Sequence, residues 1–252
     1  MTTKHLYILT GASRGMGLAM ARQLLAPDHH LLCISRRPED SLAAEATGAG
    51  CTLEQWPMDL AKSQTAAVAL QQWLSDPSHG RFKSASLINN AGVIPHIGPL
   101  SEVEPGDLAQ ALRIDLEAPM LLCAAFLQAT SPWPVPRRIL NISSGLGRYP
   151  MASQATYCAA KAGMDHFSRC VALEEALKPN GAKICALAPG VIDTDMQVQL
   201  RGADATAFPD LARFEQLKRG GQLDSPEQAA RKVLAFLNHP DFGRESVADV
   251  RG

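Results

Sequence analysis

Tyr157 and Lys161 stand four residues apart in YCAAK, inside a run of small, helix-favouring residues. Positions i and i+4 share one face of a helix, so this spacing brings a phenol and an ammonium toward one point. A phenol ordinarily titrates at about 10, and a nearby cation favours its phenolate, so the pair could shift a proton equilibrium. A buried tyrosine with a satisfied hydroxyl carries the same letters, so the pair needs support from the rest of the chain.

A glycine-rich stretch, TGASRGMG from Thr10 to Gly17, lies between an apolar run and the first helical pattern. Glycines there let the backbone turn tightly and let a phosphate approach the helix N-terminus, as in a dinucleotide cradle. The spacing is G-x-x-x-G-x-G, and the absence of G-K-[ST] excludes a Walker-type triphosphate loop. Gly11-Ala12-Ser13-Arg14-Gly15 also satisfies G-x-S-x-G, so a serine hydrolase acting through Ser13 is the alternative from another class. An elbow serine normally follows several strands and an oxyanion loop, whereas Ser13 follows the first strand with nothing before it. Beyond the second strand the chain reads ISRRPED, with Ser35 where an NAD-preferring protein presents an acid to the ribose. Arg36 and Arg37 follow, and Arg14 sits in the glycine loop, so guanidinium groups could converge on an additional phosphate. This pattern favours NADPH.

The elements that must position these groups alternate along the chain. LYIL, HLLCIS, CTLEQWP, ASLINN, RRILNIS, AKICALAP and a short ESVADV read as strands. Helices are expected from about Gly15, after the second strand, over AKSQTAAVALQQWL, from about Pro105 to Thr130, around Tyr157, and from about Ser225. The expectation is one α/β domain over residues 1–252, a doubly wound parallel sheet with helices on both faces. The run from Val191 to Leu223 lacks a strand signal and is expected to be a substrate loop, because ligands sit beyond the carboxyl ends of parallel strands.

Bulk properties narrow the function classes. The 252 residues are 46% hydrophobic and carry a formal net charge of -1, which provides no basic field for nucleic acid or anionic lipid. The longest apolar run, MLLCAAFL, is far short of a membrane span, and the opening residues do not read as a signal peptide. Six scattered cysteines without a C-x-x-C pair read as reduced thiols in a cytoplasm, and the seven histidines form no metal-ligand spacing. A small-molecule partner and no metal are expected.

TGASRGMG, NNAG (Asn89–Gly92), NISSG (Asn141–Gly145), Y-x-x-x-K and APGVIDT (Ala188–Thr194), in this order, resemble the short-chain dehydrogenases/reductases from end to end. NISSGLG, YCAAKAG, TDMQ and VADVRG are more narrowly similar to the benzil reductase and sepiapterin reductase subgroup. The resemblance implies a Rossmann-like fold and reduction of a carbonyl by NADPH. It makes Tyr157 the proton donor, Lys161 its electrostatic partner and Ser144 the hydroxyl that polarises the substrate oxygen. It also implies that Gly11, Ser13, Arg14, Gly15, Met16 and Gly17 hold the phosphates. Asp59 and Leu60 would flank adenine, Asn90, Ala91 and Gly92 would lie beneath its ribose, and Pro189, Gly190, Val191, Ile192 and Thr194 would close over the nicotinamide. Lys161 and Tyr157 would touch the cofactor as well.

RIDLEAP departs from the family pattern, with Asp115 where an asparagine usually supports a proton relay to the lysine. A carboxylate there would raise the pKa of Lys161, and Asp115→Asn is expected to leave substantial reductase activity. The pocket loops offer Ile94, His96, Leu146, Tyr149, Met151, Met196 and Leu200, a mostly apolar set suited to a bulky or aromatic ketone or 1,2-diketone. Asp195 resembles the acid that holds a pterin, so Asp195→Ala should weaken pterins and spare aromatic diketones. A regulator that senses NADP(H) without turnover is a third reading, opposed by the presence of Ser144, Tyr157 and Lys161 together. The long helix and the Tyr157 helix carry more apolar residues than one buried face needs, and family members are homodimers or homotetramers.

Overall fold

In a computed structural model of the chain, residues 4–79 and 82–251 are described. The described strands are β1 (Lys4–Thr10), β2 (His29–Ser35), β3 (Thr52–Pro57), β4 (Phe82–Asn89), β5 (Arg137–Ile142), β6 (Lys183–Ala188) and β7 (Val247–Asp249). They form one parallel sheet in the order β3-β2-β1-β4-β5-β6-β7. The helices are α1 (Gly15–Gln23), α2 (Asp40–Gly48), α3 (Ser63–Ser75), α4 (Pro105–Leu112), α5 (Ala118–Thr130), α6 (Ala155–Ala176), α7 (Asp195–Arg201), α8 (Leu211–Arg219) and α9 (Pro226–Asn238).

The apolar strands are buried on both faces, as a sheet covered by crossovers requires. In β1, Leu6 and Ile8 enter one core while Tyr7 and Leu9 enter the other, following the two-residue period of a strand. The first core takes Met16 and Met20 from α1 and Ala230 and Val233 from α9. The second takes Leu70 from α3 and Leu122 and Phe126 from α5, with Phe167 and Val171 of α6 against it. The doubly wound sheet is as the sequence implied. Strand order reverses between β1 and β4, and the crevice beyond their carboxyl ends is where such a sheet receives a ligand.

Two features differ from the sequence reading. The expected helix from Pro105 to Thr130 is broken into α4 and α5 by a π-helical turn, Arg113–Glu117, which carries Asp115. A π turn accommodates an extra residue that an apolar pattern does not reveal. The expected substrate loop holds α7 and α8, and it is fastened by a bridge between Ile192 and Asp224. Both helices are short and α8 is largely polar. Their stripe of Leu200, Phe214 and Leu217 becomes apolar cover only when packed with Phe208 and Ile97 in a third small core. Downstream, α9 begins at a capping box in which Ser225 Oγ accepts from Gln228 N at 3.2 Å and Gln228 Oε1 accepts from Ser225 N at 2.9 Å.

Candidate active site

At the switch point, the turn after β4 is laced to the turn after β1. Thr10 Oγ1 accepts hydrogen bonds from the N–H groups of Asn90 at 2.9 Å and Ala91 at 3.0 Å. Asn90 Nδ2 returns two bonds, to Thr10 O at 3.0 Å and Gly11 O at 3.2 Å. Thr10 is an organiser that the sequence reading missed, although a hydroxyl at a strand end beside a glycine turn is its signal. A Cβ on Gly17 would lie 2.0 Å from Gly11 O, so this close approach of helix to turn admits no side chain. Arg14, the N-cap of α1, makes no side-chain cap, and the first-turn N–H groups could therefore take a phosphate. The cradle fits a dinucleotide.

Other expected cofactor residues surround this cradle at the carboxyl edge. Ser35 is buried and its Oγ donates to Arg37 O at 2.8 Å, so its hydroxyl shapes the turn after β2. The side chains of Arg36 and Arg37 are exposed and form no ion pair among the described residues. Asp59 caps the turn after β3 through Ala61 N at 3.0 Å, and Leu60 is buried in the second core. Beyond β6, Gly190 has a φ of +86° after Pro189, and the chain leans back until Thr194 would touch a Cβ on Gly15 at 3.5 Å. Val191 O and Asp193 N both pair with Asp224, holding residues 189–194 in place.

Ser144, Tyr157 and Lys161 converge where β5 ends and α6 begins. Ser144 Oγ accepts from Leu146 N at 3.1 Å, and its hydroxyl stands near enough to the Tyr157 hydroxyl to pull the phenol's pKa down. Lys161 is buried, and its Nζ donates to Ile142 O at 3.0 Å while lying 5.6 Å from the centre of the Tyr157 ring. Asp115 Oδ1 accepts from Val93 N at 2.8 Å, and its Oδ2 is buried without a hydrogen-bond partner. Gly92 backs onto Asp115 Oδ1, the Met196 methyl and the Lys161 ammonium, which places all three at one wall. Deeper in, Asn89 Nδ2 donates to Asn141 Oδ1 at 2.8 Å and Asn141 Nδ2 to Ser168 Oγ at 2.9 Å, tying β4 and β5 to α6.

The electrostatics correct the expectation that Lys161 makes the phenol acidic. The protein's own groups push the Tyr157 pKa upward, first by burial and then by the Asp115 carboxylate, with the nearby Ser144 hydroxyl opposing them. The ammonium lies over the ring and donates elsewhere. The Lys161 pKa is itself lowered, because burial outweighs the upward pull of Asp115 and Asp165. Asp115 raises it as expected, yet does not prevail. Burial pushes Asp115 up to about 6, against the pull of Lys161 and the Val93 N–H.

Arg14 and Asp195, expected on two different ligands, meet each other at 3.0 Å across the crevice. Of the expected pocket residues, Leu200, Ile94 and Met151 belong to the small core of α7 and α8, and Tyr149 is 71% exposed, so these contribute shape more than contact. Met196 and Leu146 remain half-buried beside the reacting groups, and His96 is exposed, its main chain held by Asp107. No histidine is hydrogen-bonded to Ser13 among the described residues, which leaves the hydrolase reading without its base. A cavity of about 510 Å³ lined by Trp73, Phe82 and Trp133 lies at the opposite end of the sheet. All six cysteines are free, and no described helix is long and apolar enough to cross a membrane.

The short chain dehydrogenase family model matches residues 5–205. The chain is 37% identical over 242 residues to a benzil reductase ((S)-benzoin forming) of Bacillus cereus, covering 95% of this chain and 96% of that protein. It is 31% identical over 252 residues to the sepiapterin reductase of Bos taurus, covering 95% and 91% respectively. Among solved structures, a metagenomic short-chain oxidoreductase in complex with NADP superposes with a TM-score of 0.72 at 26% identity, covering 98% and 96%. With the seven-stranded parallel sheet, the glycine cradle at its switch point and the Ser144–Tyr157–Lys161 cluster beside it, this chain belongs to the short-chain dehydrogenase family of oxidoreductases.

Proposed function

We propose that the chain is an NADPH-dependent carbonyl reductase that converts a bulky or aromatic ketone, or a 1,2-diketone, to the corresponding alcohol. The observation that carries this reading is the convergence of Ser144, Tyr157 and Lys161 beside the glycine cradle, with Lys161 Nζ 5.6 Å from the centre of the Tyr157 ring and bonded to Ile142 O at the strand end that leads to Ser144. A substrate oxygen placed between the two hydroxyls would be polarised by one and protonated by the other. The upward-shifted phenol keeps its proton until negative charge develops on that oxygen, which suits a donor. Lys161 holds the strand end through Ile142 O and lies against the ring, so it fixes where Tyr157 stands. Bound NADPH would supply the hydride to the carbonyl carbon. Gly11, Ser13, Gly15, Met16 and Gly17 would hold its phosphates, Asn90 to Gly92 and Asp59 its adenosine end, and Arg36 and Arg37 its extra phosphate. Leu146 and Met196 would face the substrate.

The relatives' names support the carbonyl class, one naming benzil and the other sepiapterin. The apolar surroundings favour the diketone. We further propose one domain over 1–252 acting in the cytoplasm as a homodimer or homotetramer. The test mixes purified protein with NADPH or NADH and benzil and follows the absorbance of the reduced nicotinamide. Consumption of NADPH in preference to NADH is expected. Tyr157→Phe should lower kcat by about 10²–10⁴-fold with cofactor binding retained. Unchanged turnover in that variant, or none in the parent across a panel of carbonyl compounds, overturns the reading.

A further inference from the structure

Asp165 lies one turn beyond Lys161 on α6 and is 1% exposed. Its Oδ1 accepts a hydrogen bond from Ser143 Oγ at 2.5 Å. Its Oδ2 has no hydrogen-bond partner, and Arg148 Nε stands 3.8 Å from it. A Cβ on Gly147 would fall 2.8 Å from that same Oδ2 and 2.9 Å from Lys161 O, so the turn is pressed onto the carboxylate with no room for a side chain. Asp165 thus engages the 143–148 turn at both ends and in its middle. Ser144, the residue that meets Tyr157, lies within the enclosed stretch.

A buried carboxyl is a costly way to join a helix to a strand. Burial pushes Asp165 up, while the Ser143 hydroxyl and then Arg148, Arg169 and Lys161 pull it down. One turn further along α6, Ser168 makes a comparable link to β5 with a neutral hydroxyl. Joining the elements therefore does not itself require an acid at 165. A carboxylate adds two acceptors on one planar group, able to engage Ser143 with one oxygen and face Gly147 and Arg148 with the other.

We propose that Asp165 is a positioning residue that clamps the 143–148 turn to α6 and so sets Ser144 against Tyr157. The inference rests on the carbonyl-reductase reading for its kinetic consequence, and on geometry alone for the clamp. Asp165→Ala should lower kcat by roughly 10- to 100-fold while the NADPH dissociation constant, read by fluorescence, stays within about twofold. Asp165→Asn, which keeps the acceptor for Ser143 but turns an amide NH2 toward Arg148, should recover only part of the rate lost in Asp165→Ala. Ser143→Ala should give a similar loss, and the double variant should be little worse than either single one. A folded Asp165→Ala with parental kcat, or losses at 143 and 165 that multiply, would overturn the clamp. A crystal structure of Asp165→Ala reads positioning without turnover. Displacement of Ser144 Oγ away from the Tyr157 hydroxyl supports the proposal and an unmoved Ser144 refutes it, even if the parent reduces no carbonyl.

Discussion

Asp115 and Lys161 share one buried wall, and each is displaced toward its neutral form by the same absence of water. For Asp115 the direction fixes a pH dependence. Its carboxyl titrates at about 6 folded against 3.8 ordinarily, so the folded state holds the proton more tightly. Stability is therefore undiminished below about pH 4 and is lost as pH rises through about 6. Asp115→Asn should raise the melting temperature at pH 8 and change it little at pH 4. The ceiling is roughly 3 kcal/mol at 1.36 kcal/mol per pH unit, with about 2–4 °C per kcal/mol in a chain of this size. Loss of a counter-charge for Lys161 reduces the gain, and a lower midpoint at pH 8 would refute the sign. The YCAAK spacing placed Tyr157 and Lys161 on one helix face. It could not reveal which way the phenol moves, since burial and a carboxylate from the π turn decide that.

Elements supply the next layer of control. Just beyond β2, Arg36 and Arg37 are exposed and make no ion pair among the described residues, and a charge-assisted hydrogen bond contributes about 1.5–3 kcal/mol, so replacing both with alanine should raise the KM for NADPH about tenfold or more. The KM for NADH should stay put; equal changes for both cofactors would remove the phosphate role. Across the crevice, α7 offers Asp195 to Arg14 by a contact whose side chains are 68% and 74% exposed. Such a pair contributes at most about 1 kcal/mol, so Asp195→Ala should scarcely alter the melting temperature. It should tighten NADPH binding by about two- to threefold, because Arg14 is released toward the extra phosphate. Weaker binding, measured by fluorescence titration, would show that the pair helps to shape the site. These two residues lie far apart in the chain and nothing local announced their meeting. The helices α7 and α8 were hidden for a related reason: their apolar residues make sense only as a cover for Ile97 and Phe208.

At the scale of the whole molecule, the sheet fills both its faces, but α5, α6 and the residue that ends α6 keep apolar side chains outside. Met120 is 44% exposed, Leu173 72% and Leu177 87%. Under the proposed oligomer these meet a second copy, and Leu173→Glu with Leu177→Glu should shift the mass measured by light scattering toward the monomer. An unchanged mass would place the contact elsewhere. The amino-acid sequence by itself determined the strand–helix alternation, the parallel sheet and the order of motifs, because periodicity, glycine turns and helical spacing act over a few residues. It also set the glycine loop between β1 and α1 and put Tyr157 and Lys161 on one helix. Only the tertiary structure decided the π turn beneath Asp115, the encounter of Arg14 with Asp195 and the enclosure of Asp165 by the Ser144 turn. Each depends on burial and on distances between remote segments, and those quantities exist only after the chain has packed.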